Sequence, residues 1–426
     1  MTGNTSNSKQ IPIDVVGSSS FGRFASISPS RTYNMFISED ATGKSKWLIN
    51  FAGYQSVKTF FDTNQEGRGL FHSVRGNFLL VVVEAEVFRV NPDTLSSQNI
   101  GQLDTTTGEV FIDENLNSQI AIVDGQDVYI YNYNAGQFGK ANLRNDDDTG
   151  AFTGNLEPNY VAYHNTYFLF GNGLSTNDGS LWYIFDPASG NLDIKLVQTL
   201  TLQTKPDYAR AVIRMPGRGN NIMVFGQSVA EIWTNVGGLQ VYQRNSSVNI
   251  DYGVASVSTI AANDQVIAWL GINERSAPSI MVSTGGNAHA ITHDGIDELL
   301  ANVSAPSDST AIMFRQDHHL FYQLTFYNDD DDFTIVYDFT TQRFYDLTDF
   351  DFTHAPARQT GFINNTTYFV SLKDGHLYRT DVNIDTYNTH PSQQSTYEIP
   401  RMRICSTVRG ETPLKFIVQR FSFVIE

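Results

Sequence analysis

The chain reads as an all-β protein, a β-propeller of about seven blades, and three observations carry that reading. Two strands joined by a tight turn recur along most of the sequence at a period of roughly 40–55 residues, the length of a four-stranded blade and longer than most helical repeats. Aromatic residues make up 12% of the 426 residues, with 20 Tyr and 29 Phe beside 32 Gly, which favours twisted sheets and tight turns. The one convincing helix signal is short: Asp294 to Ala301, sequence DGIDELLA, predicts two turns in a connection.

Seven copies of the unit align in order. The first is Asn77 to Val82 with Val87 to Val90, and the second Gln119 to Val123 with Val128 to Tyr131, turning at Asp124-Gly125. The third pairs Asn165 to Phe170 with Leu181 to Ile184, and the fourth Asn221 to Phe225 with Val229 to Trp233. The fifth pairs Gln265 to Leu270 with Ser279 to Val282, and the sixth His319 to Tyr322 with Phe333 to Tyr337. The seventh pairs Thr367 to Val370 with Leu377-Tyr378 across Lys373-Asp374-Gly375-His376. The first strand of each pair is almost continuously apolar, as a strand buried on both faces requires, and the second more often alternates. A pair of β-sandwiches is the competing fold. Recurrence of the same pattern without a composition break favours the closed ring.

This places a propeller over residues 61–385, between two flanks. Residues 1–60 hold a polar tail, a Ser/Gly stretch and the strand-like run Thr32 to Ile37; residues 386–426 hold alternating runs from Arg401 to Thr407 and Leu414 to Glu426. The flanks are expected to pair as a small β platform. The lone Cys405 has no disulfide partner in the chain and reads as buried apolar filler. No signal peptide and no membrane-spanning apolar run is visible, so a soluble protein made in a cytoplasm is expected. A formal net charge of −17 argues against a surface that grips phosphate backbones.

The groups able to carry chemistry each have a simpler reading. The runs Asp146-Asp147-Asp148 and Asp329 to Asp332 lack the ligand spacing and central glycine of a calcium loop and read as solvated loops. Ser175 to Trp182 approximates the Asp-box hairpin of sialidase-type propellers, with Asn177 where that box has Asp; it is a turn motif, not a catalytic one. Asp317-His318-His319 brings three potential metal ligands together, but neighbours on a strand point to opposite faces. No triad, phosphate-cradling loop or paired-cysteine motif emerges, so no catalytic residue, metal site or cofactor is expected. Basic residues gather at Arg210, Arg214 and Arg218, and at Arg401, Arg403 and Arg409. The second group is the candidate interaction site, since Arg401 and Arg403 share a face of a terminal strand and suit an acidic partner or a neighbouring subunit.

Tyr33-Asn34-Met35-Phe36, the third unit from Tyr160 to Trp182 and the run Asn221 to Ser304 together resemble the tail hub, or nozzle, proteins of short-tailed bacteriophages (podoviruses), also called packaged-DNA stabilisation proteins. The match is densest through Val224-Phe225-Gly226-Gln227-Ser228, Glu231-Ile232-Trp233, Gly253-Val254-Ala255, Ala277 to Val282 and Glu298-Leu299-Leu300. The resemblance spans nearly the whole chain through diffuse strand and turn positions. It implies a structural protein of the virion tail, synthesised in the host cytoplasm: a propeller on a platform, forming a six-fold ring (a hexamer) below portal and adaptor. Such a ring retains packaged DNA, forms the channel for DNA ejection, and anchors tailspikes or fibres, with a tail needle as a further partner. Double-stranded DNA would pass without tight binding, for which acidic or neutral walls are suited, and the chain itself would not insert in a membrane. This sequence stops at Phe421 to Glu426, roughly where that family continues, which fits a short member, strands supplied by neighbours, or a missing piece.

Two other functions suit a propeller. A glycosidase or depolymerase needs two carboxylates converging at one end of the ring, and a glycan-binding propeller needs repeated aromatic pockets between blades.

Overall fold

The structure is a computed structural model that describes residues 15–22, 30–40, 42–146, 150–173, 177–187, 190–388 and 396–405. Seven antiparallel sheets follow one another along the chain, and each begins with an inner strand and steps outward. Blade 1 runs Gly67–Ser73, Phe78–Val83, Glu86–Val90 and Ser97–Gln102; blade 2 runs Phe111–Glu114, Gln119–Val123, Val128–Asn132 and Gln137–Lys140. Blade 3 comprises Pro158–His164, Tyr167–Asn172, Leu181–Pro187 and Asp193–Thr201, with Asn142–Arg144 added in parallel at its outer edge. Blade 4 comprises Ala211–Arg214, Asn221–Phe225, Ala230–Asn235 and Tyr242–Arg244. In blade 5 the inner position is shared by Gly253–Val254 and Ala261–Ala262, both paired to Ile267–Ile272, followed by Ser279–Ser283 and Ala288–Ala290.

The last two blades take strands from both ends of the chain. Blade 6 runs Ser309–Gln316, His319–Tyr327, Asp332–Asp338 and Arg343–Leu347, then adds Arg31–Tyr33 in parallel and Met402–Ile404 outside it. Blade 7 runs Ala357–Ile363, Thr366–Ser371 and Leu377–Asp381, and its fourth strand is Gly53–Lys58, with Thr380 opposite Tyr54. Thr386–Asn388 and Thr396–Glu398 extend that sheet to six strands. Gly53–Lys58 lies inside the segment that sequence reading set apart as a flank, and the described parts of both flanks continue blades 6 and 7. A hairpin of Met35–Glu39 with Lys46–Asn50 leaves blade 6 at Asn34, whose left-handed backbone breaks the run from Thr32 to Ile37. The Asn34 side chain donates to Thr348 Oγ1 (2.8 Å) and Pro400 O (2.7 Å) and accepts from Thr348 N (2.8 Å), so one amide joins three distant segments.

The second strands of the blades are the apolar runs read from sequence, and Phe78–Val83 and Gln119–Val123 are buried at every position. Apolar side chains from adjacent blades interlock at the seams, for instance Trp182 edge-on to Trp233 with ring centres 5.4 Å apart between blades 3 and 4. Several inner hairpins turn on two left-handed residues, as at Asn165-Thr166, Asp317-His318 and Asn364-Asn365, matching the right-handed twist of the flanking strands. The predicted helix forms over Asp294–Ala301 and buries Ile296 and Leu300 beside Phe21. Gly295 is required there, because a Cβ would meet the Phe21 carbonyl. Cys405 is half-buried at the edge of blade 6, so the expectation of a buried core cysteine is corrected.

Ring closure makes Gly53 sensitive, since a Cβ at this position would lie 2.3 Å from the Ile384 carbonyl oxygen, a backbone atom that cannot swing away. Gly53→Val is expected to lower unfolding stability by about 1–3 kcal/mol. The check is urea denaturation followed by tryptophan fluorescence, beside Gly286→Ala, where an added Cβ meets nothing and the backbone is not left-handed, expected to change stability by about 1 kcal/mol or less.

Candidate functional site

A propeller can act through its central bore, its two faces or its rim, and the residues at each decide which is usable. The bore is crossed by side chains. Arg68 in the first strand of blade 1 is fully buried and donates to Gly108 O (2.7 Å), Thr105 O (2.7 Å), Thr107 O (2.7 Å) and Glu84 O (2.8 Å), pinning the loop that leads into blade 2. That loop presents Glu109, which accepts from Gln359 Nε2 of blade 7 (2.6 Å) and from Thr310 Oγ1 of blade 6 (3.2 Å). The buried Arg358 beside it donates to Glu66 Oε1 (2.5 Å), Gly67 O (3.2 Å) and Tyr327 OH (3.3 Å).

A second crossing joins blade 2 to blades 3 and 4. Asp113 accepts from Tyr163 N (2.7 Å) and meets Arg214 Nη2 at 3.3 Å. Desolvation raises the carboxyl pKa of both Glu109 and Asp113, against the opposing pull of Arg358 on the first and Arg214 on the second. Each carboxylate is tied to partners from two other blades, which makes it a ring cross-link. Sequence reading missed Glu109, Asp113 and Arg358, because single charged residues in short inner strands, or in the loop leading into one, carry no motif.

The two faces differ in chemistry. Antiparallel blades put the turns after first and third strands on one face and the remaining connections on the other. The face built by the blade-to-blade connections and the second-to-third turns is acidic: Asp104, Asp146, Glu157, Asp251, Glu274, Asp308, Asp329 and Asp330 are exposed there. The opposite face has short turns rich in Asn and Gly, few carboxylates, and exposed apolar residues such as Val74, Leu116, Leu239 and Phe362.

The candidates named from sequence fall in different places. Arg401 binds Asp385 Oδ1 (3.0 Å), and Arg403 donates to Val15 O (3.1 Å), Ser18 O (2.8 Å) and Thr32 Oγ1 (2.8 Å). Arg403 thus holds the two chain ends together, Arg401 is tied within the C-terminal region, and Arg409 lies outside the described residues. Arg210, Arg214 and Arg218 do not act as a group: Arg210 reaches Val254 O and Ala255 O (3.4 and 3.3 Å), Arg214 faces Asp113, and Arg218 sits exposed in a turn.

Asp317 and His318 form the two-residue turn of blade 6, whereas His319 is buried with Nδ1 2.8 Å from Asp338 Oδ2. Among the described residues no group of three His, Cys, Asp or Glu is placed to hold a metal. In the second aspartate run, Asp331 accepts from Ser304 N (2.7 Å) and Asp332 from His354 N (2.7 Å), which are loop-fastening contacts. Asp147 and Asp148 lie outside the described residues, as do Ser175 and Thr176 of the box-like hairpin, whose Trp182 is core. No helix among the described residues is long and apolar enough to cross a membrane.

A family model described as bacteriophage P22 Gp10, beta-propeller, matches residues 9–347. The chain belongs to that family. Membership in the Gp10 family agrees with the seven-bladed fold and with the resemblance carried by Tyr33 to Phe36 and Asn221 to Ser304. A search of the curated proteins finds no match. Among solved structures the chain is similar to the N-terminal domain of Nup159, at 8% identity over 78% of this chain and 94% of that one, with a TM-score of 0.43. It is also similar to a chain of a mitotic checkpoint complex, at 12% identity over 78% and 93%, with a TM-score of 0.45.

In this Gp10-family propeller the raised pKa of Glu109 sets a sign for pH dependence. Folding favours the protonated carboxyl, so the stability it lends is complete below the ordinary glutamate range and is lost as pH climbs through the raised value. Glu109→Gln stays neutral throughout. Urea titrations at several pH values between about 4 and 7 are expected to show stability shifting in favour of the variant as pH rises.

Proposed function

We propose that this chain is a non-enzymatic structural protein of a short-tailed phage virion, a subunit of a ring at the tail that retains packaged DNA and passes it on ejection. The observation that carries this reading is membership of the bacteriophage P22 Gp10 family over residues 9–347. Its partners in this reading are further copies in a six-fold ring, the adaptor and portal above, and tailspikes, fibres or a needle attached to it.

The geometry adds a constraint. Glu109, Gln359, Thr310, Asp113 and Arg214 cross the propeller bore, leaving no passage for a DNA duplex. The conduit in this proposal therefore lies between subunits on the ring axis. A wall built from the acidic face would repel phosphates and let DNA slide, whereas clustered cations would hold it. The two propeller faces point in opposite directions, so contacts through both would stack copies into an open file; a closed ring draws its contacts from the rim.

Electron cryo-microscopy of tails, or of the chain assembled on a portal–adaptor template, tests the proposal. The expected result is a six-fold ring whose central channel carries density for DNA, with the seven-bladed bores filled by side chains. A channel lined mainly by Lys and Arg, or an isolated monomer that cleaves glycans, would count against it.

A further inference from the structure

At six of the seven seams the apolar side chains of adjacent blades merge into one cluster. The seam between blades 6 and 7 differs. Its apolar residues divide into one cluster around Phe36, Phe51 and Phe321 and another around Tyr54, Phe369 and Tyr378, which meet at Phe314. Between them lies a cavity of about 460 Å³, within the size range of ligand pockets. Ile312, Phe314 and Phe369 form apolar walls, and Tyr54 lines it with a buried hydroxyl that has no hydrogen-bond partner among the described residues. An unpaired buried hydroxyl is costly, and a ligand group that accepts from it would remove the cost.

The mouth opens on the face that is poor in carboxylates and carries two arginines, Arg315 and Arg379, beside two acids, Asp317 and Asp381. Asp381 accepts from Asn383 N (2.8 Å) and Nδ2 (3.0 Å) and lies in the field of Arg379, which also donates to Gln55 Oε1 (3.0 Å), while Asp317 accepts from Gln316 Nε2 (3.1 Å). Arg315, exposed at the same mouth, makes no hydrogen bond or ion pair among the described residues. A chain with a net charge of −17 thus keeps an unpaired guanidinium beside an apolar cavity. The apolar surface also extends beyond it: Phe362 and Val382 at the mouth are 59% and 56% exposed, and Val74 and Leu116 continue the strip over blades 1 and 2. A small molecule within the cavity would leave that strip uncovered, whereas an extended chain covers both.

We propose that the seam between blades 6 and 7 is a docking cleft for an extended peptide segment of a partner protein, which inserts one large apolar side chain into the cavity and sets a flanking carboxylate against Arg315. The inference stands on the cavity and its charges and does not depend on the ring. The test uses the full chain and a fluorescein-labelled, blocked Gly-Asp-Phe-Asp-Gly peptide, read by fluorescence anisotropy. Saturable one-site binding is expected, weakened at least about tenfold when the peptide Phe is Ala. Arg315→Glu, at an exposed site that does not threaten the fold, is expected to weaken the acidic peptide by about threefold and to favour a Gly-Lys-Phe-Lys-Gly peptide instead. Thr360→Trp, which fills the cavity, is expected to abolish binding while unchanged circular dichroism confirms folding. Equal binding of the Phe and Ala peptides, or indifference to Arg315→Glu, would overturn the proposal. So would binding of anilinonaphthalene sulfonate without any peptide, which makes the site a small-molecule pocket. Self-association lost in Arg315→Glu without peptide binding would also overturn it, by assigning the cleft to a second copy.

Discussion

Closure of the ring depends on one strand pairing. Gly53–Lys58, from near the start of the chain, lies antiparallel to Leu377–Asp381, more than three hundred residues away in sequence, and completes the seventh blade. Without it blade 7 would present the unpaired edge of Leu377–Asp381 and leave Tyr54, Tyr378 and Tyr387 without their shared packing. The terminal strands reinforce the same place. Arg31 pairs with the buried Asp346, Ser19 donates to that carboxylate (2.6 Å), and Arg403 fastens the segment from Val15 to Thr32 to the far end of the chain.

Closing the ring in this way has consequences at the centre and at the seam beside it. Inner strands are brought close enough for Glu109 of blade 2 to reach blades 6 and 7, which turns the bore into a polar cross-link. The seam between blades 6 and 7 must also admit the N-terminal hairpin and the passage Phe51-Ala52 into the closing strand, and the two apolar clusters there do not merge. The same topology sends the long connections, with most exposed carboxylates, to one face and the short Asn/Gly turns to the other.

The apolar second strands were legible in the sequence because burial on both faces demands an uninterrupted apolar run, as in Phe78 to Val83. The inner strands were not. Gly67–Ser73 contains Gly, Arg and His, and Ala357–Ile363 contains Arg358 and Gln359, since one side of these strands meets the polar bore. Turn chemistry explains the Asp317-His318-His319 run: alternation predicted that the histidines diverge, and the left-handed turn at Asp317-His318 leaves only His319 in the sheet. Arg401 and Arg403 illustrate a different case: a shared-face argument marked them for a partner, and in the fold Arg401 binds Asp385 while Arg403 donates to Ser18 O, acceptors that no local pattern of residues announces.

By itself the sequence determined the all-β propeller, the repeat and the absence of a recognisable catalytic motif, because strand periodicity and turn residues are local and each blade restates them. The family followed from the order and spacing of such positions. Only the tertiary structure decided which strand closes the ring, that the bore is crossed by side chains, that acidity collects on one face, and that one seam holds a cavity with an unpaired arginine at its mouth. Each of these depends on contacts between residues far apart in the chain, and no local pattern of residues encodes a partner that approaches from across a ring.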